Sequence, residues 1–487
     1  MKKLKHPLMF VGTGSDVGKS VVSAGFCRVL LRDGYHPAPF KAQNMSLNSF
    51  ATPDGFEIGR AQAVQAEACG IAPQSDMNPI LLKPTGHTVS QVVLNGKPFG
   101  NMTARAYFGG ADREALFAEA MKAFDRLQAV YDPIVIEGAG SISEINLRDK
   151  DLTNMRVATR TGAATILVAD IDRGGLFGSV YGTLALLPAE ERQCIKGILV
   201  NKFRGDKSLF EEGRRILEEL TGTPIIGVLP YMDDLFIEEE DSVELEAKRS
   251  KPLEGKVNIC VIRTAHLSNF TDFRLLESVP EVNVYYSDNP SDMLSADILI
   301  LPGSKNTIAD LQDLKEKGID RVVRRHHDSR KALIGICGGY QMLGREIRDP
   351  EGVEGDITSA KGLDIFPTIT TLIPGKRTRQ SEFSFVNGTA SGIGYEIHSG
   401  VTPTDSPLTI LDTGEREGYR LDNCTWGTYL HGILDNASVT ERLLDPYLPG
   451  FKVPFDFKKK KEKGFDRLAE MIRENVDMDY VYSCMMK

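Results

Sequence analysis

Two segments of this sequence have the residue types and spacing to do chemistry. The first is LMFVGTGSDVGKSVVSAGFCRVLL, residues 8–31, an apolar run followed by a glycine-bearing loop and a helical pattern. In such a loop, backbone N–H groups and the start of the helix converge on phosphate oxygens. A lysine neutralises the β- and γ-phosphates, and a hydroxyl helps to hold Mg²⁺. Gly18, Lys19 and Ser20 fill the closing positions, and Thr13, with Gly12 beside it, stands where a first glycine is usual. Thr13, Gly14, Asp16, Gly18, Lys19 and Ser20 are therefore the candidate ATP-binding residues, with Ser20 also a candidate Mg²⁺ ligand. A chance lysine in a glycine-rich turn is the competing account; a strand before and a helix after count against it.

The second is KALIGICGGYQMLG, residues 331–344, an apolar run that turns through glycines into a helix. A thiol at that apex projects from the sheet edge, where the helix start favours the thiolate and offers N–H groups to an oxyanion. Cys337 is that thiol. Gly338 and the loop after ADILILPG, with Gly303 and Ser304, are the candidate oxyanion donors. A buried structural cysteine is the common alternative for a lone thiol, and the flanking glycines argue against it. A thiol also needs a base. His326 and His327 lie in a charged helical stretch and read as solvated, whereas His398 in GYEIHSG and His431 in WGTYLHGIL are the two contenders.

Elements of two kinds must position these residues. From Leu8 to about Tyr231 the runs LMFVG, PIVIEG, TILVAD, GILVNK and PIIGVLP alternate with helical patterns, as buried parallel strands of an α/β sheet do. Residues 237–256 are mostly charged and read as a linker. A second alternation follows in VNICVIRT, NVYYS, ADILILPG and KALIGICGG, then shorter, more polar strands such as GIGYEIHSG, and an amphipathic helix from about Gly464 to Asn475. The expected organisation is an α/β domain over residues 1–236, the linker, a second α/β domain over 257–445, and a helical extension over 446–487. A length of 487 residues agrees with more than one core.

Composition narrows the classes. A net charge of −9 speaks against nucleic acid as the main partner. The run Lys458–Lys461 reads as the solvated surface of a C-terminal helix. Seven singly scattered cysteines suit a reducing cytoplasm rather than a disulfide framework or a metal cluster. No apolar run approaches the ~20 residues that span a bilayer, and the basic opening is broken too early by glycines and Lys19 for a signal peptide. The expectation is a soluble, cytoplasmic protein whose oligomeric state is left open.

The GTxxxVGKS loop is similar to that of dethiobiotin synthetase and its relatives, and Gly335, Cys337, Gly339 and Gln341 resemble the G-x-C-x-G-x-Q pattern of class I glutamine amidotransferases, which implies a dethiobiotin-synthetase-like first domain and a flavodoxin-like amidotransferase domain after it. Partition-type ATPases share the first fold but carry an extra lysine near the loop's start, where this chain has Thr13, Gly14 and Ser15. With FKAQNMSLNS, EGAGSISEINLRDKDLTNM and GYEIHSG, the whole chain resembles the cobyric acid synthase family, with the a,c-diamide synthases as the alternative. The resemblance implies roles for further residues. Lys41 would balance phosphate or carboxylate charge, Glu137 would bind Mg²⁺, Asp170 and Asp172 are further candidates, and Asn201 would read the adenine edge. His431 matches the family's base. Ile433 stands where most class I members have the glutamate that orients that base, so the third member is absent or comes from elsewhere. Arg148, Lys150 and Arg156 are candidates for corrin carboxylates. The implied reaction takes ammonia from L-glutamine to ATP-activated carboxylates b, d, e and g of a corrinoid, adenosylcobyrinic acid a,c-diamide.

Overall fold

The computed structural model describes residues 3–85, 89–109, 113–232, 236–237 and 250–486. The first half holds β1 (Leu8–Gly12), β2 (Ala38–Phe40), β3 (Ile134–Glu137), β4 (Ala164–Asp170), β5 (Ile195–Phe203) and β6 (Ile225–Pro230), with α1 (Lys19–Arg32) and α2 (Arg60–Ala68). These strands form one parallel sheet in the order β6-β5-β4-β1-β3-β2. Met9 and Val11 enter one apolar cluster, while Leu8 and Phe10 enter another on the opposite face. Burial on both faces is why the strand reads as an unbroken apolar run rather than an alternation. The chain leaves β1 between β4 and β3, where the strand order reverses. That crevice is where open parallel sheets take ligands.

The second half holds β7 (Val257–Ile262), β8 (Val282–Ser287), β9 (Ile298–Leu301), β10 (Ala332–Ile336), β11 (Ile369–Phe385), β12 (Ser391–Val401), β13 (Tyr419–Arg420) and β14 (Thr425–Thr428). Its main sheet runs β8-β7-β9-β10-β14-β13, parallel except at β13. Helix α3 (Gly338–Leu343) follows β10 directly. Strand β11 spans 17 residues and pairs antiparallel with β12, so this region is longer-stranded than the short polar runs expected there. The two strands form part of a separate sheet that leans on the first half, where Tyr395 packs on Phe50 at 4.8 Å between ring centroids and Gln380 donates to the Ala51 carbonyl.

The terminal helix is longer than the expected Gly464–Asn475. Helix α4 covers Phe457–Asn475, and α5 (Met478–Met486) follows it. Phe465, Leu468, Ala469 and Ile472 are buried in the same cluster as Phe26 and Val29 of α1. Gly25 permits the close approach, since a Cβ there would lie 2.3 Å from the Ile472 Cδ1. Lys461 is buried against Glu67 instead of being solvated, because its position on α4 faces α2, while Lys458 and Lys459 remain exposed. Of the expected linker, residues 238–249 lie outside the described residues; Ile237 is buried in the first half's core.

Candidate active sites

The loop after β1 wraps around Lys19. Its ammonium donates to the carbonyls of Gly14, Ser15 and Gly140 at 2.8, 3.0 and 3.0 Å. Gly18 turns the chain at φ 90°, and a Cβ there would meet the Asn201 amide nitrogen at 2.3 Å. That amide donates to the Val17 carbonyl, so Asn201 supports the loop from beneath. Thr13 is tied to β4 through its N–H to the Val168 carbonyl, and Asp16 lies 3.4 Å from Arg173.

Glu137, at the end of β3, is 1% exposed. One carboxylate oxygen accepts from Ser20 Oγ and Lys41 Nζ, both at 2.8 Å, and the other accepts from Gln65 and Gln62 of α2. Burial alone would push this carboxyl up; the Lys41 ammonium and the Gln65 and Ser20 donors outweigh it and hold the carboxyl below its ordinary range. A hydroxyl and a carboxylate side by side next to Lys19 are the hard oxygen donors that Mg²⁺ takes together with phosphate oxygens, so the residues present fit that ion. Lys19, Ser20, Lys41 and Glu137 line a cavity of about 610 Å³ that also reaches Asn48, Arg113, Arg148 and Lys150, and Leu267 and Phe270 of the second half. Arg156 instead pairs with Glu114 and lies 3.9 Å from the Phe117 ring. Asp170, its side chain largely buried at the end of β4, pairs with Lys202, and the more exposed Asp172 pairs with Arg204.

Cys337 occupies the turn between β10 and α3 at φ 51° and ψ −107°, a conformation that a non-glycine residue holds only under constraint. The glycines around it are required by contact. A Cβ on Gly339 would lie 2.0 Å from the Leu301 carbonyl oxygen, and one on Gly335 would lie 2.7 Å from the Tyr340 backbone. Gly338 abuts the Ser304 N–H, and Gly303 abuts the His431 ring, so Gly303, Ser304 and Gly338 gather around the thiol. The neighbouring Lys305 is half-buried; desolvation, together with the Lys83 charge, pulls its ammonium down to about 8 against the opposing pull of Glu354 and Glu57.

His431 is 1% exposed and stacks against Tyr395. Its Nδ1 donates to Asp272 Oδ2 at 2.7 Å, and Asp272 Oδ1 accepts from the Gly432 N–H at 2.9 Å. Burial would pull the imidazole down, but Asp272 and Cys337 dominate and push it up to about 10. Asp272 is thus the orienting carboxylate that the usual position, Ile433, does not supply. It comes from the turn Phe270–Phe273, and its signal was a lone acid between two phenylalanines in NFTDF. His398 is held between the Gly400 carbonyl and Glu396 and stacks on Tyr429 at 3.8 Å. His326 is not solvated as expected: it is buried, bonds the Ala332 carbonyl at 2.9 Å and is pulled down to about 4 by burial.

A phosphate loop on one parallel sheet and a Cys–His–Asp site on a second define a glutamine amidotransferase joined to a nucleotide-binding domain. Residues 258–439 match the CobB/CobQ-like glutamine amidotransferase domain, and residues 8–244 match the CobQ/CobB/MinD/ParA nucleotide binding domain. The chain belongs to the cobyric acid synthase family. It is 55% identical to the cobyric acid synthase of Parabacteroides distasonis, with 99% of each chain covered. It is 54% identical to that of Bacteroides fragilis, covering 100% of this chain and 99% of the relative. Against the Moorella thermoacetica protein the identity is 44%, with 98% and 97% covered.

Proposed function

We propose that this enzyme amidates the b, d, e and g carboxylates of adenosylcobyrinic acid a,c-diamide, with glutamine as the nitrogen source and ATP as the activating agent. The observation that carries the reading is the cavity that has Lys19, Ser20, Lys41 and Glu137 on one wall and Leu267 and Phe270 on another, five and two residues, respectively, from the acid that holds His431. The names of the relatives support the substrate.

In the second half, the Cys337 thiolate attacks the glutamine amide carbon, and N–H groups around Gly303, Ser304 and Gly338 receive the developing oxyanion. The His431 imidazolium protonates the leaving nitrogen. Ammonia departs, and water then cleaves the thioester to glutamate. In the first half, a corrinoid carboxylate oxygen attacks the γ-phosphorus of ATP and ADP leaves. Ammonia then displaces phosphate from the acyl phosphate to give the amide. Lys19 and Lys41 position and neutralise the transferred group; Thr13, Gly14, Asp16 and Gly18 shape its cradle, and Asn201 is assigned to the adenine side. Mg²⁺, when bound at Ser20 and Glu137, would neutralise phosphate charge. Arg148 and Lys150 are assigned to corrin carboxylates. The ATP domain is taken as residues 1–236 and the amidotransferase domain as 257–445, in a cytoplasmic enzyme whose cysteines are all free.

The test is turnover with ATP, glutamine and candidate corrinoids, with the amides added counted by mass. Amidation of the a,c-diamide at b, d, e and g is expected. Amidation of cobyrinic acid at a and c alone would assign the diamide synthase reaction, and no nucleotide hydrolysis with either acid would remove the proposal.

A further inference from the structure

The carboxylate that orients His431 is itself held by the other half of the chain. Asp272 sits in the turn Phe270–Phe273, which starts at Asn269 in the left-handed conformation, φ 54°. The Asn269 side chain does not cap its own turn; its Oδ1 accepts the N–H of Ser49, in the first half, at 2.9 Å. In return, the Oδ1 of Asn48 accepts the N–H of Phe270 at 3.2 Å. Both bonds are buried, so losing either acceptor leaves a buried N–H without that partner. The segment before Asn269 is equally committed to the thiol site. Leu267 and Ser268 pair antiparallel with Ser304 and Gly303, the candidate oxyanion residues.

On the other side, the clamp is anchored in the ligase machinery. Asn48 accepts the first N–H of α2, from Arg60, and α2 carries the Gln62 and Gln65 that bond Glu137. Ser49 Oγ accepts from Lys83, which pairs with Glu57. Asn48 and Phe270 both line the 610 Å³ cavity.

We propose that the reciprocal pair Asn48–Phe270 and Ser49–Asn269 is an interdomain clamp that positions Asp272, so the glutaminase triad is complete only when the ATP-binding half is docked in this register. Asn48 and Asn269 act through Asp272 and are positioning residues. The claim concerns glutamine hydrolysis and rests on the amidotransferase assignment; it does not depend on which acid is amidated.

Asn269→Gly removes the acceptor while keeping the left-handed turn free of strain; Asn269→Asp keeps an acceptor at the same place. Glutamate release from glutamine is measured in the full-length protein without corrinoid, as a function of pH, alongside thermal unfolding. Asn269→Gly is expected to lower kcat for glutamine hydrolysis about tenfold, the size expected for one buried N–H left unpaired. KM for glutamine should stay within about twofold, and the alkaline limb of the pH profile should move to lower pH because Asp272 no longer supports the imidazolium. Asn269→Asp should restore both. An unchanged kcat and alkaline limb in a folded Asn269→Gly protein would overturn the proposal, as would an equal defect in Asn269→Asp. If Asn269→Gly does not fold, Asn48→Ala in the same assay decides: it must reproduce the kcat loss and the shifted limb, and normal values would overturn the clamp.

Discussion

His431 is a base whose protonation is set first by Asp272 and then by Cys337. With Asp272 at 2.7 Å and Cys337 beside it, the imidazolium persists to about pH 10. The raised value means that this pair stabilises the folded state fully below the ordinary histidine value of 6.5 and loses that contribution as pH rises through about 10. Glutamine hydrolysis should therefore keep its proton donor well into the alkaline range. Asp272→Asn should cut kcat for glutamate release by about 10²–10⁴-fold and pull the alkaline limb downward; an Asp272→Asn enzyme with a wild-type profile would show that Asp272 does not orient the base. Cys337 and its glycines were legible because a nucleophile turn is written in consecutive residues. Asp272 was not, because 159 positions separate it from His431 and only the folded chain brings them together. His326 misled for the opposite reason: a run of charges hides one buried face, where Val322, Val323 and His326 point inward.

At the scale of elements, the turn between β10 and α3 works because nothing larger than hydrogen fits at Gly339. Its neighbour is the Leu301 carbonyl of β9, a backbone atom in the centre of a sheet that cannot retreat. Gly339→Ala should abolish glutamine-driven amidation while ammonia-driven amidation continues; parallel loss of both would place the fault outside the thiol turn. Helix α4 makes a separate prediction. Leu468 is fully buried against α1, so Leu468→Ala should cost about 2–5 kcal/mol in denaturant unfolding; a change below about 0.5 kcal/mol would mean that the α1–α4 contact is not part of the stable core. The parallel strands were legible from their apolar runs. The full length of strand β11 was not, because its middle, KRTRQ, is polar on both faces of an inter-half sheet, and only SEFSF at its end alternates buried and exposed residues.

Across the whole molecule, the halves meet through charges that are out of water. Glu57 of the first half accepts from Lys83 at 2.7 Å and from Lys376 of β11 at 2.6 Å. Burial would raise its carboxyl, but the two ammonium groups hold it far below the carboxylate range, so its contribution is present at neutral pH and is lost only on strong acidification. Glu57→Gln leaves two buried ammonium groups without that counter-charge and should destabilise the protein by about 3–5 kcal/mol, with proteolytic separation of the halves as a second readout. The decisive measurement is amide formation on the corrinoid acid by Cys337→Ala, supplied with ATP and either glutamine or an ammonium salt. Two separable sites on one chain predict no product from glutamine and sustained product from ammonium; amidation from glutamine, or none from either nitrogen source, would contradict them.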